Sequence, residues 1–389
     1  MVTYDIAVLR GDGIGLEVVD QGIKVLEALQ EISCVKFNFI ETPAGGNEYN
    51  KNGDVLPEES LERMKKSDAI LKGPVGLPDL PQGLVEAGVI LKLRQELDQY
   101  INLRPMELYK ELSGISPLKK NVIKGGIDYV VVRENSEGEY SKVGGIRGKM
   151  DISTQLGLMT EKMMKDQRWD AVDINVHTVD AIDRIIDYSF NLAKRRFDKK
   201  SVTLVDKANV LHGSRLWRER FDIISKSYPD IKTEKKYVDN FTQLIISPYV
   251  SELDVVVTSN LMGDIISDEG AKTIGSLGLA PGANINPNGV SMFEQIAGAA
   301  PDIAGKGIAN PIGMIKACKM MVENLGEIDK AQIIEEGVQY ALRKGFRTKD
   351  IKSTGTMSKV ADFFYPVFGQ ELVSTEEMGD VIAEYVRSY

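Results

Sequence analysis

Short apolar strand patterns and amphipathic helix patterns alternate along nearly all of this 389-residue chain. Strand patterns fall at 6–9, 35–40, 69–71, 129–132, 201–205 and 253–258, with helical patterns at 16–31 and 181–196 among them. Strands that are apolar on both faces need cover on both faces, and intervening helices supply it. The alternation therefore predicts an α/β fold with sheets flanked by helices. At this length one core rarely suffices, so two domains are expected. No long polar linker or repeat marks the boundary, which is placed near 99–104 and again near 253. Residues 1–100 plus 255–389 then form a large domain, into which 101–254 is inserted as a smaller one.

The first strand-to-helix junction reads Gly11-Asp-Gly-Ile-Gly15. The spacing GxGxG differs from the GxGxxG dinucleotide fingerprint, and no acidic residue ends the second strand where a ribose would need one. We read it as a tight turn that needs small residues, not as a Rossmann phosphate loop.

A net charge of −9 argues against a nucleic-acid footprint. No apolar run approaches the ~20 residues that span a bilayer, and the N-terminus lacks a basic leader pattern. Two cysteines, Cys34 and Cys318, are too few for a disulfide framework, so a reducing, cytoplasmic setting is expected. His177 and His212 are the only histidines, and each reads as structural, so acid–base work falls to Lys, Tyr, Asp or Glu.

Three segments carry chemistry. In Ser259-Asn-Leu-Met-Gly-Asp-Ile-Ile-Ser-Asp268, Asp264 and Asp268 stand four apart at the start of a helix. Like charges at that spacing repel, and a hard divalent cation such as Mg²⁺ or Mn²⁺ would relieve them; the pair also suits the positive end of a helix. Arg94, Arg104 and Arg133 offer planar forks for the carboxylates of a di- or tricarboxylic acid. Lys207, after an apolar strand, could serve as a base, and Tyr140 as a proton donor. A small-residue loop over 298–310 lets backbone approach a flat ligand, with Asp302 and Asn310 as its polar groups.

Leu93-Arg-Gln-Glu-Leu-Asp-Gln-Tyr-Ile-Asn-Leu-Arg-Pro105, Val132-Arg-Glu-Asn-Ser-Glu-Gly-Glu-Tyr140, Asp206-Lys-Ala-Asn-Val210, Tyr237-Val-Asp-Asn240, Gly263-Asp-Ile-Ile-Ser-Asp268 and Ala300-Pro-Asp-Ile-Ala-Gly-Lys-Gly-Ile-Ala-Asn-Pro311 occur in that order. With these motifs the chain closely resembles the β-decarboxylating dehydrogenases, which include isopropylmalate, isocitrate, homoisocitrate and tartrate/D-malate dehydrogenases. The resemblance implies a two-domain isopropylmalate-dehydrogenase-like fold with a non-Rossmann dinucleotide site. It implies NAD-linked, metal-dependent oxidative decarboxylation of a 2-hydroxy dicarboxylic acid. The metal ligands would be Asp264 and Asp268 with Asp239 of a partner, Mg²⁺ or Mn²⁺ being the ion. Arg94, Arg104 and Arg133 would hold substrate carboxylates, with Lys207 from the partner as base and Tyr140 as acid. A homodimer or higher homo-oligomer with shared sites follows. Ala297, Gly298, Asp302 and Asn310 fall in the region that resembles the adenosine site, and Asp302 matches NAD-type members.

The chain departs from the pattern in two places. Glu294-Gln-Ile-Ala-Gly-Ala-Ala-Pro301 stands where most members read Glu-Pro-Val-His-Gly-Ser-Ala-Pro, so Ala297 replaces a histidine. The segment between Tyr140 and Lys207 also looks longer than in compact members. Isocitrate-type members carry serine and asparagine where this chain has Gly88 and Ile90, and an apolar wall cannot repay the desolvation of a third carboxylate. Ile90, Leu91 and Val210 would suit an isopropyl group, whose burial contributes ~2 kcal/mol, which favours 3-isopropylmalate. Segments 98–104, 139–141 and 279–287 resemble the tartrate/D-malate branch, and a regulatory subunit is the non-enzyme alternative.

Overall fold

The computed structural model describes residues 2–141, 144–146, 171–197, 199–353 and 370–389. Twelve strands concern the site: β1 (Val2–Leu9), β2 (Val35–Glu41), β3 (Ala69–Lys72), β4 (Ile101–Glu107), β5 (Asp128–Glu134), β6 (Gly144–Ile146), β7 (Ala171–Asp173), β8 (Ser201–Asp206), β9 (Lys232–Tyr237), β10 (Val255–Thr258), β11 (Pro281–Ile285) and β12 (Ser291–Gln295). All but β6 and β7, which pair with each other, form one ten-stranded sheet in the order β2-β1-β3-β12-β11-β4-β5-β10-β8-β9. The expected α/β fold is present. Every strand pattern anticipated from the sequence lies in this sheet, and the two helical patterns become Gly15–Ile32 and Val179–Arg196.

The two ends of the sheet are parallel, and helices return the chain between their strands. In the middle, β12–β11, β11–β4 and β4–β5 are antiparallel. One face of the first half clusters Ile6, Val8 and Leu71 with residues of helices 15–32 and 312–324, and helix 375–387 packs against 15–32. The other face packs Ala7, Leu9, Ile70 and Met292 against Leu61, Met64, Val89 and Leu93. The ladder is unbroken across the whole sheet, and β10 lies between β5 and β8.

The Gly11–Gly15 junction is a tight turn, as its composition predicted. Gly11 and Gly13 have φ of 73° and 55°, and a Cβ on Gly13 would lie 2.0 Å from the Ala299 carbonyl oxygen. Asp12, fully buried in the same turn, accepts from the backbone N–H groups of Gly46, Asn47 and Gly76, each at 2.7 Å. The turn thereby fixes the Pro74–Gly76 segment, two of whose residues line the cavity described below.

Candidate active site

Strand register sets a polar stripe across five adjacent strands. Lys72 of β3 stands beside Glu294 of β12; Met292, two residues before Glu294, faces Asn284 of β11. Asn284 faces Asn102 of β4, and Asn102 faces Arg133 of β5. Because side chains alternate between faces, Lys72, Glu294, Asn284, Asn102, Arg104 and Arg133 all project from one face. All six are buried, and buried polar groups at this density require partners.

They have them. Lys72 Nζ lies 2.5 Å from Glu294 Oε2, and Asn284 Nδ2 donates to Glu294 Oε1 at 2.8 Å. Each arginine has its Nε held by an asparagine side-chain oxygen. Arg94 donates to Asn284 at 3.0 Å, Arg104 to Asn102 at 2.8 Å and Arg133 to Asn260 at 3.0 Å. Burial pushes the Glu294 carboxyl up, but Lys72, Arg104 and Arg94 outweigh it and hold the group down at about 2. Burial, with Arg133 adding repulsion, pulls the Arg94 guanidinium down to about 9, so it remains charged at neutral pH.

The stripe floors a cavity of about 350 Å³. Arg94, Arg104 and Arg133 line it, with Tyr140, Asp264, Glu86, Ile90, Leu91, Ala297 and Gly298. Ile90 and Leu91 belong to a π-helical segment, Glu86–Leu91, that runs into the short helix Lys92–Glu96 carrying Arg94. Such wide turns recur at functional sites because they re-aim side chains within one helix. Asp264 and Asp268 sit on helix Asn260–Thr273, which β10 feeds. Asp264 is ion-paired to Arg133 through Oδ1 and accepts from the Tyr140 hydroxyl at Oδ2, 3.0 Å away. Asp268 lies 3.9 Å from Arg104 Nη1.

The remaining expected site residues lie elsewhere. Lys207 and Asp239 form their own ion pair at 2.9 Å and do not line the cavity. Val210, on the Lys207 turn, is 60% exposed and also outside it. Asp302 is exposed, and its backbone oxygen accepts from Lys306 Nζ at 2.7 Å. Asn310 donates to Asp350 at 3.1 Å. Glu17, in the first turn of helix Gly15–Ile32, holds the 298–310 loop by accepting from the N–H groups of Gly305 and, at 3.0 Å, Gly307. Among the described residues no three metal-binding side chains converge within the single chain. Much of the 141–206 segment lies outside the described residues.

Sequence reasoning missed Lys72, Asn102, Asn260, Asn284 and Glu294. The available signal was a charged or amide residue inside an apolar strand, as in Ala283-Asn-Ile285 and Met292-Phe-Glu294. His177 lies outside the cavity, its Nδ1 accepting from Trp217 Nε1 at 3.3 Å.

An α/β cleft with three buried arginines and neighbouring carboxylates defines an enzyme for small polyanionic acids. The chain belongs to the isocitrate/isopropylmalate dehydrogenase family, whose pattern matches residues 5–382, and it is a decarboxylating dehydrogenase. It is 41% identical to 3-isopropylmalate dehydrogenase of Aquifex aeolicus, over 99% of this chain and 97% of that one. It is 39% identical to the enzyme of the same name from Thermotoga maritima, over 97% and 98%. Among solved structures it resembles isocitrate dehydrogenase from Methylococcus capsulatus, with a TM-score of 0.81 and 34% identity over 99% of each chain. A β-decarboxylating dehydrogenase from Thermococcus kodakarensis gives 0.73 and 30%, over 99% of this chain and 96% of that one.

Proposed function

We propose that the protein catalyses NAD-linked, metal-dependent oxidative decarboxylation of 3-isopropylmalate. The observation that carries this reading is the pairing, in one cavity, of three buried arginines with the apolar side chains of Ile90 and Leu91. The arginines take the two carboxylates, and the apolar pair takes the isopropyl group. A third carboxylate against Ile90 would be desolvated without a partner, which disfavours isocitrate despite the name of the solved relative. The curated relatives at about 40% identity, named 3-isopropylmalate dehydrogenase, support the same choice.

Asp264 and Asp268 present hard oxygen donors on one helix face, a set that suits Mg²⁺ or Mn²⁺ once Asp239 of a second copy completes it. When bound, the ion would act as a Lewis acid toward the hydroxyl and adjacent carboxylate of the substrate. Lys207 of that second copy would take the hydroxyl proton, and NAD, held at the loop that carries Asp302, would supply the acceptor for the hydride of carbon 2. The bond between the β-carbon and its carboxylate then breaks, carbon dioxide leaves, and the electron pair left at the β-carbon would take a proton from Tyr140. Val210 travels with Lys207 toward the shared site. Residues 1–100 and 255–389 carry the cofactor loop, with Ala297, Gly298, Asp302 and Asn310 around adenosine. Residues 101–254 carry the contact with the second copy. Among the described residues no helix is long and apolar enough to cross a membrane, and we place the enzyme in the cytoplasm.

A panel of 3-isopropylmalate, D-malate, tartrate, isocitrate and homoisocitrate, each with Mg²⁺ and either NAD or NADP, tests the reading through NADH absorbance. The highest kcat/KM is expected for 3-isopropylmalate with NAD. A higher value for D-malate or tartrate would move the enzyme to the branch that segment 279–287 resembles. No turnover with any acid would leave the regulatory-subunit reading.

A further inference from the structure

Asn284 is fully buried in the middle of the sheet. Its one side-chain oxygen accepts from Arg94 Nε at 3.0 Å, Asn102 Nδ2 at 2.9 Å and Asn135 Nδ2 at 3.0 Å. Its amide nitrogen donates to Glu294 at 2.8 Å. Asn102 in turn holds Arg104. One carboxamide thus orients Arg94 directly and Arg104 at one remove, with its own polarity locked by a carboxylate on one side and three donors on the other.

The chemistry of the holder matters. A carboxylate in place of Asn284 would also accept from Arg94, but it would cancel the charge that a dicarboxylate needs. A neutral amide satisfies Nε and leaves the guanidinium charge and its terminal N–H groups free for a bidentate partner. We infer that Asn284 is a positioning residue for the substrate carboxylates, acting as a neutral hub that aims the arginine cluster while preserving its positive charge. This rests on the reading of the cavity as a dicarboxylate site.

Three variants and two probes test it. Asn284→Ser keeps a small polar group but cannot span the four partners. Asn284→Asp adds a charge and sets two carboxylates against each other. The swap Asn284→Asp with Glu294→Gln restores the net charge and a hydrogen bond between the two side chains, with its direction reversed, but leaves a carboxylate on Arg94 Nε. Losing a hydrogen bond to a charged group corresponds to about tenfold or more in affinity. Calorimetric binding of malonate, a plain dicarboxylate, should therefore weaken about tenfold or more in Asn284→Ser and further in Asn284→Asp. The swap should relieve the repulsion between the carboxylates yet still bind malonate more weakly than the parent, because the acceptor on Arg94 Nε stays charged. KM for 3-isopropylmalate should follow the same order while KM for NAD stays within about twofold, a split that general loosening of the fold would not produce. Malonate binding by Asn284→Ser equal to the parent's, or a parallel rise in both KM values, overturns the inference. If Asn284→Asp fails to fold, Asn284→Ser alone decides. A parent that binds malonate but turns over no hydroxy acid refutes the proposed reaction and leaves this role standing; a parent that binds neither refutes both.

Discussion

Lys207 Nζ and Asp239 Oδ1 face each other at 2.9 Å, just past the C-terminal ends of the neighbouring strands β8 and β9, outside the cavity that holds Tyr140 and Asp264. The base and metal-ligand roles proposed for them require a second copy to bring a site to them. Mixing inactive Lys207→Met with inactive Asp264→Asn chains should restore part of the parental activity through hybrid sites. Hybrids isolated by affinity tags that remain inactive would exclude sharing between copies.

Tyr140 donates to Asp264, and burial first, then the Asp264 charge, raises its pKa. Raising favours the protonated form, so the phenol keeps its proton through neutral and mildly alkaline pH. The alkaline limb of kcat should therefore not report Tyr140 below its ordinary value of 10. Tyr140→Phe should lower kcat by about 10²–10⁴-fold and leave KM for the acid little changed, as read by steady-state kinetics.

Gly88 marks where the π-helical segment meets Val55: a Cβ there would stand 2.4 Å from Val55 Cγ2. Gly88→Ala should cost about 1–3 kcal/mol by overpacking, seen as a lower denaturation midpoint. Adding Val55→Ala, which vacates the space, should return part of that loss. Equal stability of Gly88→Ala and parent would show that the segment shifts freely.

The Lys72–Glu294 pair predicts an acid limb of stability. Glu294 has a folded value near 2, against an ordinary 4.5. A depressed carboxyl contributes stability above 4.5 and loses it as pH falls from there toward 2. Glu294→Gln should flatten the melting temperature over that window. Lys72→Met, which removes the ion-pair partner of a buried carboxylate and leaves it the Asn284 amide and the more distant arginines, should cost about 3 kcal/mol at neutral pH.

With Asp302 at the adenosine ribose, as proposed, its carboxylate would accept the ribose hydroxyls and repel a 2′-phosphate, so NAD should be preferred over NADP. Ala297 lines the cavity without a ring to set against adenine. Ala297→His should lower KM for NAD without altering the preference. Comparable use of NADP by the parent would remove Asp302 from the ribose.

The fold was largely legible because periodicity reports burial on both faces, as in 255–257, which is Val-Val-Val. The strands that escaped are those whose composition speaks of something else. Lys232–Tyr237 is polar because it is the sheet's edge, and β4 and β11 carry Pro105 and Pro281. Arg94, Arg104 and Arg133 could be grouped by motif, and the cavity brings them together. Asn284 and Glu294 could not, since their meaning comes from cross-strand register, which no local pattern encodes. Lys207 and Asp239, expected to reach a partner's site, and Val210 lie outside the cavity that holds Tyr140 in the single chain.

Lys72 and Glu294 are 222 residues apart in sequence, and their strands are hydrogen-bonded neighbours. At roughly 5–20 residues per second, a ribosome needs on the order of 10–40 s after Lys72 before its counter-charge exists. Until then β3 has an open edge and an ammonium with no partner, so the early half of the nascent chain cannot close its own sheet. The catalytic pocket is therefore among the last parts to mature, and chains ended prematurely before β12 would leave an adhesive strand edge rather than a weak enzyme.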